Sequence, residues 1–261
     1  MQQLGDTVLQ PPSILSPENW TSTSSVPSLS TGEVHVWRVN LEREQKINER
    51  HFSFLDQTEQ AKARSFAFPH LRERYVTAHA VLRLLLASYL DIAPSLVRFQ
   101  SNEYGKPAVA FPRGSDLQFN ISHSHSLALY AFTRERPVGV DVEQVRPEVA
   151  TLDLARTCFS PAEVTRWQTL PPAHQPNAFF QCWSRKEAYI KVRGMGLSMP
   201  LDSFDVALAP DEPCRLLRVA GEADAIQRWS LYPLFPGPGY AGALAVEGSP
   251  LAIRLWDWSS S

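Results

Sequence analysis

From Val138 to Glu143, valine occupies every second position: Val138, Val140 and Val142 alternate with Gly139, Asp141 and Glu143. That alternation specifies a half-buried strand. Successive strand residues point to opposite faces, so the two carboxylates project from the same side. A second charged cluster, Trp183-Ser184-Arg185-Lys186-Glu187-Ala188-Tyr189-Ile190-Lys191, lies 46 positions further on and has helical spacing. Residues four apart on a helix are neighbours, so Glu187 and Lys191 lie one above the other. If this helix crosses that strand, three carboxylates and an ammonium converge, which suits Mg²⁺ and phosphate. Taken singly, each signal is ordinary. A V-D-V-E strand commonly turns its acids to water, and an i,i+4 Glu–Lys pair is worth only about 0.2–0.5 kcal/mol.

The surrounding order of elements is α+β. Val34 to Val39 alternates as a strand, Asp56 to Leu90 has a helical pattern broken at Pro69, and Arg72 to Leu90 is one long helix. Tyr104-Gly105-Lys106-Pro107 is a turn, and strands follow at Leu117–Ser122 and Leu127–Phe132. After the acidic strand (Val138–Val145), the breakers Pro161, Pro171-Pro172 and Pro176 precede a helix from Ala178 to Arg193. Strands are expected at Ser203–Leu208, Arg215–Val219, Trp229–Leu234, Tyr240–Val246 and Leu251–Trp256. This predicts two similar units, 32–137 and 138–261, behind a Pro/Ser/Thr-rich arm, 1–31, that is either flexible or extended along the surface.

With 261 residues and 44% hydrophobic composition, the chain can bury a sizeable core. A net charge of −2 argues against a dedicated nucleic-acid binder. Cys158, Cys182 and Cys214 have neither disulfide nor zinc spacing. No run is long and apolar enough for a membrane span, and the first basic residue is Arg38, unlike a targeting peptide. A soluble, cytoplasmic protein is expected.

Lys186 falls inside the apolar stripe of its helix, with Phe179, Trp183 and Ile190. It must either snorkel to water or find an anion, a phosphate or a neighbouring carboxylate, because an unpaired buried charge is very costly.

Three strings, Phe119-Asn120-Ile121-Ser122-His123-Ser124, Val138-Gly139-Val140-Asp141-Val142-Glu143 and Trp183-Ser184-Arg185-Lys186-Glu187-Ala188, closely resemble the 4′-phosphopantetheinyl transferases of the surfactin-synthetase type. Tyr104-Gly105-Lys106-Pro107 and Gly196-Leu197-Ser198-Met199-Pro200-Leu201-Asp202 are similar to that family's flanking motifs, and the likeness runs from about Phe52 to Val206. The resemblance implies a monomer of two α+β subdomains related by a pseudo-twofold, with the active site in the cleft between them. It implies transfer of phosphopantetheine from coenzyme A to a serine of an apo acyl or peptidyl carrier protein, releasing adenosine 3′,5′-bisphosphate. It places Mg²⁺, with Mn²⁺ as the alternative ion, on Asp141, Glu143 and Glu187. Glu187 becomes the general base, and Lys191 steadies the pyrophosphate or developing oxyanion. Ser122, His123, Lys62 and Arg74 would face the 3′-phosphate, and Tyr104, Gly105, Lys106 and Pro107 would flank the adenine. Glu59 departs from a lysine often found in relatives. Arg185 and Arg193 are the expected patch for an acidic carrier. Two competing readings are a metal-dependent pyrophosphohydrolase and a non-catalytic coenzyme A or carrier-binding module.

Overall fold

A computed structural model describes residues 16, 19–23, 25–42, 49–210, 212–250 and 252–258. In the first half, strands β1 (Trp20–Thr23) and β2 (Glu33–Asn40) precede helices α1 (Glu49–Phe54), α2 (Gln57–Arg64) and α3 (Pro69–Leu90). Strands β3 (Arg98–Ser101), β4 (Pro107–Phe111), β5 (Leu117–Ser124) and β6 (Leu127–Arg134) follow. The second half opens with β7 (Val138–Gln144), then α4 (Leu152–Cys158), α5 (Pro161–Gln168) and α6 (Gln175–Arg193). It ends with β8 (Phe204–Val206), β9 (Leu216–Val219), α7 (Ala225–Arg228), β10 (Trp229–Leu234), β11 (Tyr240–Glu247) and β12 (Ala252–Trp258).

Both long helices include their proline in the first turn rather than starting after it. Pro69 stands in the first turn of α3 and Pro176 in that of α6. Proline's fixed φ suits that turn, and its missing N–H is one the helix leaves unpaired anyway. The expected start points, Arg72 and Ala178, were therefore set one turn too late. Each helix stops at a left-handed residue, Asp91 (φ 53) or Gly194 (φ 67).

The strands form a five-stranded sheet in the order β1-β12-β2-β6-β5, a three-stranded sheet β10-β11-β7, and two hairpins, β3-β4 and β8-β9. β12 runs parallel to β2, with Leu255 opposite Val36, so the chain's last strand returns to the first half's sheet. β1 pairs with β12 in parallel, which makes residues 20–23 of the arm an extended edge strand. Residues 1–15 of the arm lie outside the described residues.

Helix α3 covers one face of the five-stranded sheet, where Val81, Leu82, Leu85 and Leu86 meet Trp37, Phe119, Tyr130 and Phe132. The valine face of β7 covers the other: Val138, Val140 and Val142 are fully buried with Val34, Val36, Leu129 and Ala131. Complete burial of each such side chain contributes about 1.5–3 kcal/mol. The opposite face of β7 lies beneath α6. Gly139 permits this, because a Cβ there would fall 2.5 Å from the Val192 amide nitrogen and 3.1 Å from the Lys191 carbonyl carbon. The α6 backbone thus rests directly on β7, two residues from Asp141.

Candidate active site

The close approach at Gly139 delivers Lys191 to the acidic strand. Its ammonium donates to Asp141 Oδ1 at 2.6 Å, to Ser122 Oγ at 2.9 Å and to the Val140 carbonyl at 3.3 Å. The Asp141 side chain is only 3% exposed, and its other oxygen, Oδ2, is buried with no hydrogen-bond partner. Burial raises the pKa of Glu143, and the Asp141 charge raises it further. Burial likewise raises that of Glu187, reinforced by Asp141 and then Glu143. Asp141, Glu143 and Glu187 are therefore within electrostatic reach of one another, as the strand-and-helix argument predicts. Among the described residues no three His, Cys, Asp or Glu side chains close up into a metal cage. The donor set nevertheless fits Mg²⁺, which takes a few carboxylates and completes its octahedron with water and substrate phosphate. The orphaned Oδ2 and the mutual repulsion of three acids are what a divalent cation would relieve.

Strand β5 stitches itself to β7 with side chains, although the two belong to different sheets. Asn120 Oδ1 accepts from the Val140 amide (2.8 Å), Ser122 Oγ from Val142 (3.4 Å) and Ser124 Oγ from Gln144 (3.1 Å). Two of these rungs also reach the acids: Ser122 donates to Asp141 Oδ1 and Ser124 to Glu143 Oε2, both at 2.8 Å. Ser122 thus spends its hydroxyl on Asp141 and Lys191, a different task from the phosphate contact implied by resemblance. Asn120 and Ser124 were missed as site residues. The available signal was polar side chains at every second position of β5, since 120, 122 and 124 each pair with the residue 20 further on.

A cleft of about 320 Å³ opens between the β3–β4 turn and α6, lined by Tyr104, Gly105, Lys106, Pro107, Ile121, Glu187 and Lys191 among others. Lys106 does not reach freely into it. Its ammonium donates to the Val138 carbonyl (3.1 Å) and the Val192 carbonyl (3.4 Å), and burial holds its pKa down to about 8. Asn102, also unforeseen, fastens the same turn to α6. Its Oδ1 accepts from the amides of Tyr104 and Lys106, and its Nδ2 donates to the Gly194 carbonyl at 2.7 Å. A second cavity, about 260 Å³, is lined by Leu41, Phe66, Leu71, Arg74, Tyr75, His123 and His125. Arg74 is tied there to Glu42 at 2.6 Å. The pKa of His123 is lowered by burial, then by His79 and Lys191. Lys62 is exposed, its ammonium 5.5 Å from the ring centre of Phe66.

Other charged groups have structural tasks. Lys186 is fully buried and pairs at 2.7 Å with Glu163, an acid from the capping box of α5 rather than a phosphate or an acid of the site. The carbonyls of Leu201 and Phe204 take its remaining protons. Arg185 is also buried and donates to the Ala207 carbonyl, so it offers no surface to a carrier. Arg193 is engaged by Glu222 at 2.8 Å. Glu59 caps α2 with Asp56 and holds Arg83 at 2.7 Å and His79 at 3.0 Å.

Comparison with known proteins places the chain among recognised relatives. Residues 137–245 match the 4′-phosphopantetheinyl transferase superfamily, and residues 42–134 match the 4′-phosphopantetheinyl transferase N-terminal family. The chain is 34% identical to the 4′-phosphopantetheinyl transferase HetI of Nostoc sp., over 88% of this chain and 94% of that one. It is 35% identical to the 4′-phosphopantetheinyl transferase Sfp of Bacillus subtilis, over 64% of this chain and 72% of that one.

Proposed function

We propose that this chain, which belongs to the 4′-phosphopantetheinyl transferase family, moves 4′-phosphopantetheine from coenzyme A to a serine hydroxyl of an apo acyl or peptidyl carrier protein. The transfer depends on Mg²⁺, or Mn²⁺ in its place, and releases adenosine 3′,5′-bisphosphate. It serves fatty-acid, polyketide or nonribosomal-peptide synthesis, and the enzyme works as a cytoplasmic monomer. The observation that carries the reading is the seating of Lys191 and Glu187 against Asp141 and Glu143, made possible by Gly139.

Asp141, Glu143 and Glu187 would hold the cation, which would bring the coenzyme A pyrophosphate to the site. A cation bound there neutralises charge on the departing bisphosphate, and such transfers depend mainly on positioning and electrostatics. Glu187 accepts the proton of the carrier serine; the burial that raises its pKa makes it a better base than a solvated carboxylate. The serine oxygen bonds to the pantetheine-bearing phosphorus, the pyrophosphate P–O bond breaks, and the bisphosphate leaves with the electron pair. Lys191 faces the same oxygens and offsets their charge. The cleft between the β3–β4 turn and α6 takes the adenine, and the Arg74–His123 cavity takes the 3′-phosphate.

Mass spectrometry of an apo carrier incubated with the protein, coenzyme A and Mg²⁺ tests this. A gain of one phosphopantetheine, abolished by EDTA, is expected. Free phosphopantetheine without carrier modification would instead establish the hydrolase.

A further inference from the structure

We infer that Ser124 is a positioning residue for Glu143, holding that carboxylate in the orientation in which it can serve a divalent cation. Its hydroxyl sits between two groups of β7. It accepts from the Gln144 amide at 3.1 Å and donates to Glu143 Oε2 at 2.8 Å. With the amide occupying its acceptor side, the single hydroxyl proton is directed at the carboxylate. Ser122 repeats the arrangement two residues earlier on Val142 and Asp141. The matching rungs fix both acids of β7 from a strand in the other sheet, so the first half of the chain sets the geometry of acids supplied by the second.

Glu143 needs such a hold. Unlike Asp141, which Lys191 grips at 2.6 Å, it has no hydrogen-bonded cationic partner among the described residues, and it is only partly buried. With Oε2 engaged by Ser124, Oε1 is left for the site. Hydrogen bonds to ligating carboxylates typically change metal affinity 10- to 100-fold.

This rests on the reading of Asp141, Glu143 and Glu187 as cation holders, and the experiment separates the two. Mn²⁺ binding is followed by electron paramagnetic resonance on the full chain with coenzyme A and no carrier, alongside the melting temperature. The variants are S124A, S124T and S124V. Thr and Val have the same shape and differ only by hydroxyl against methyl. Expected is a 10- to 100-fold loss of Mn²⁺ affinity in S124A and S124V, with S124T binding as wild type and all three melting cooperatively. Equal Mn²⁺ affinity in S124T and S124V would overturn the role of Ser124, as would wild-type binding by S124A. Absence of Mn²⁺ binding by the wild-type protein itself would bring down the cation reading, and this inference with it.

Discussion

Gly139 of β7 and Val192 of α6 leave no room for a side chain between them: a Cβ on the glycine would sit 2.5 Å from the valine's amide nitrogen. Both partners are backbone in regular elements, so neither can rotate aside. The Gly139→Ala substitution is therefore expected to push α6 outward and destabilise the fold by about 1–3 kcal/mol, the usual penalty of overpacking. Because α6 carries Glu187 and Lys191, transfer activity should fall more than stability alone accounts for. Urea unfolding beside carrier-modification rates checks this; G139A with wild-type turnover would refute the idea that this contact sets the site.

Glu187 gives two linked expectations. As a base, its replacement in E187Q should lower turnover by about 10²–10⁴-fold while coenzyme A still binds. Its folded pKa, like that of Glu143, is raised above the ordinary 4.5. Between 4.5 and the raised value the folded protein keeps protons that the unfolded chain has released, so these groups make stability fall as pH rises through that window. In EDTA at neutral pH, E187Q and E143Q should consequently melt above wild type. Variants melting below wild type under those conditions would contradict the electrostatic account of the site.

Lys186 and Glu163 form the best-shielded ion pair among the described residues of the second unit, with side chains 1% and 3% exposed. Removing one partner strands the other charge. K186M should destabilise by about 3–5 kcal/mol, and the K186M/E163Q double variant should recover much of that loss. Guanidinium unfolding of the two single variants and the double variant reads the coupling directly. Additive losses would mean that the pair is not an energetic unit.

The acidic strand and the helix that meets it were legible in the chain because each follows a strict local period: two for Val138, Val140 and Val142, and four between Glu187 and Lys191. Gly139 was visible but mute, since a glycine in a strand does not announce which backbone will press on it. The parallel return of β12 to β2, Leu255 beside Val36, depends on pairing between residues more than 200 apart, which no local pattern encodes. Lys186 was flagged as needing an anion, but its partner Glu163 sits in a capping box 23 positions away on another helix. Arg185 looked like surface because arginine usually is; its burial follows from the Ala207 carbonyl it satisfies. Asn120 and Ser124 carry no local signal of their partners because the backbone amides of β7 that they accept from have no sequence signature, and nothing near Glu143 in the chain marks which hydroxyl will reach it.

Lys106 supplies the last expectation. Burial lowers its pKa from 10.5 to about 8, so between those values the unfolded chain holds a proton that the folded chain has shed. Stability contributed by this group must then rise with pH across that window. The direction is opposite to that of Glu143 and Glu187. Lys106 also bridges the start of β7 and the end of α6 through the Val138 and Val192 carbonyls, at one wall of the cleft. K106M should thus abolish the rise in unfolding free energy between pH 8 and 10.5 and weaken coenzyme A binding. Urea titrations at half-unit pH steps, with calorimetric coenzyme A titrations at about pH 7.5, just below that window, measure both. A variant that keeps the wild-type pH slope would show that the lysine stays solvated instead of clasping the two elements.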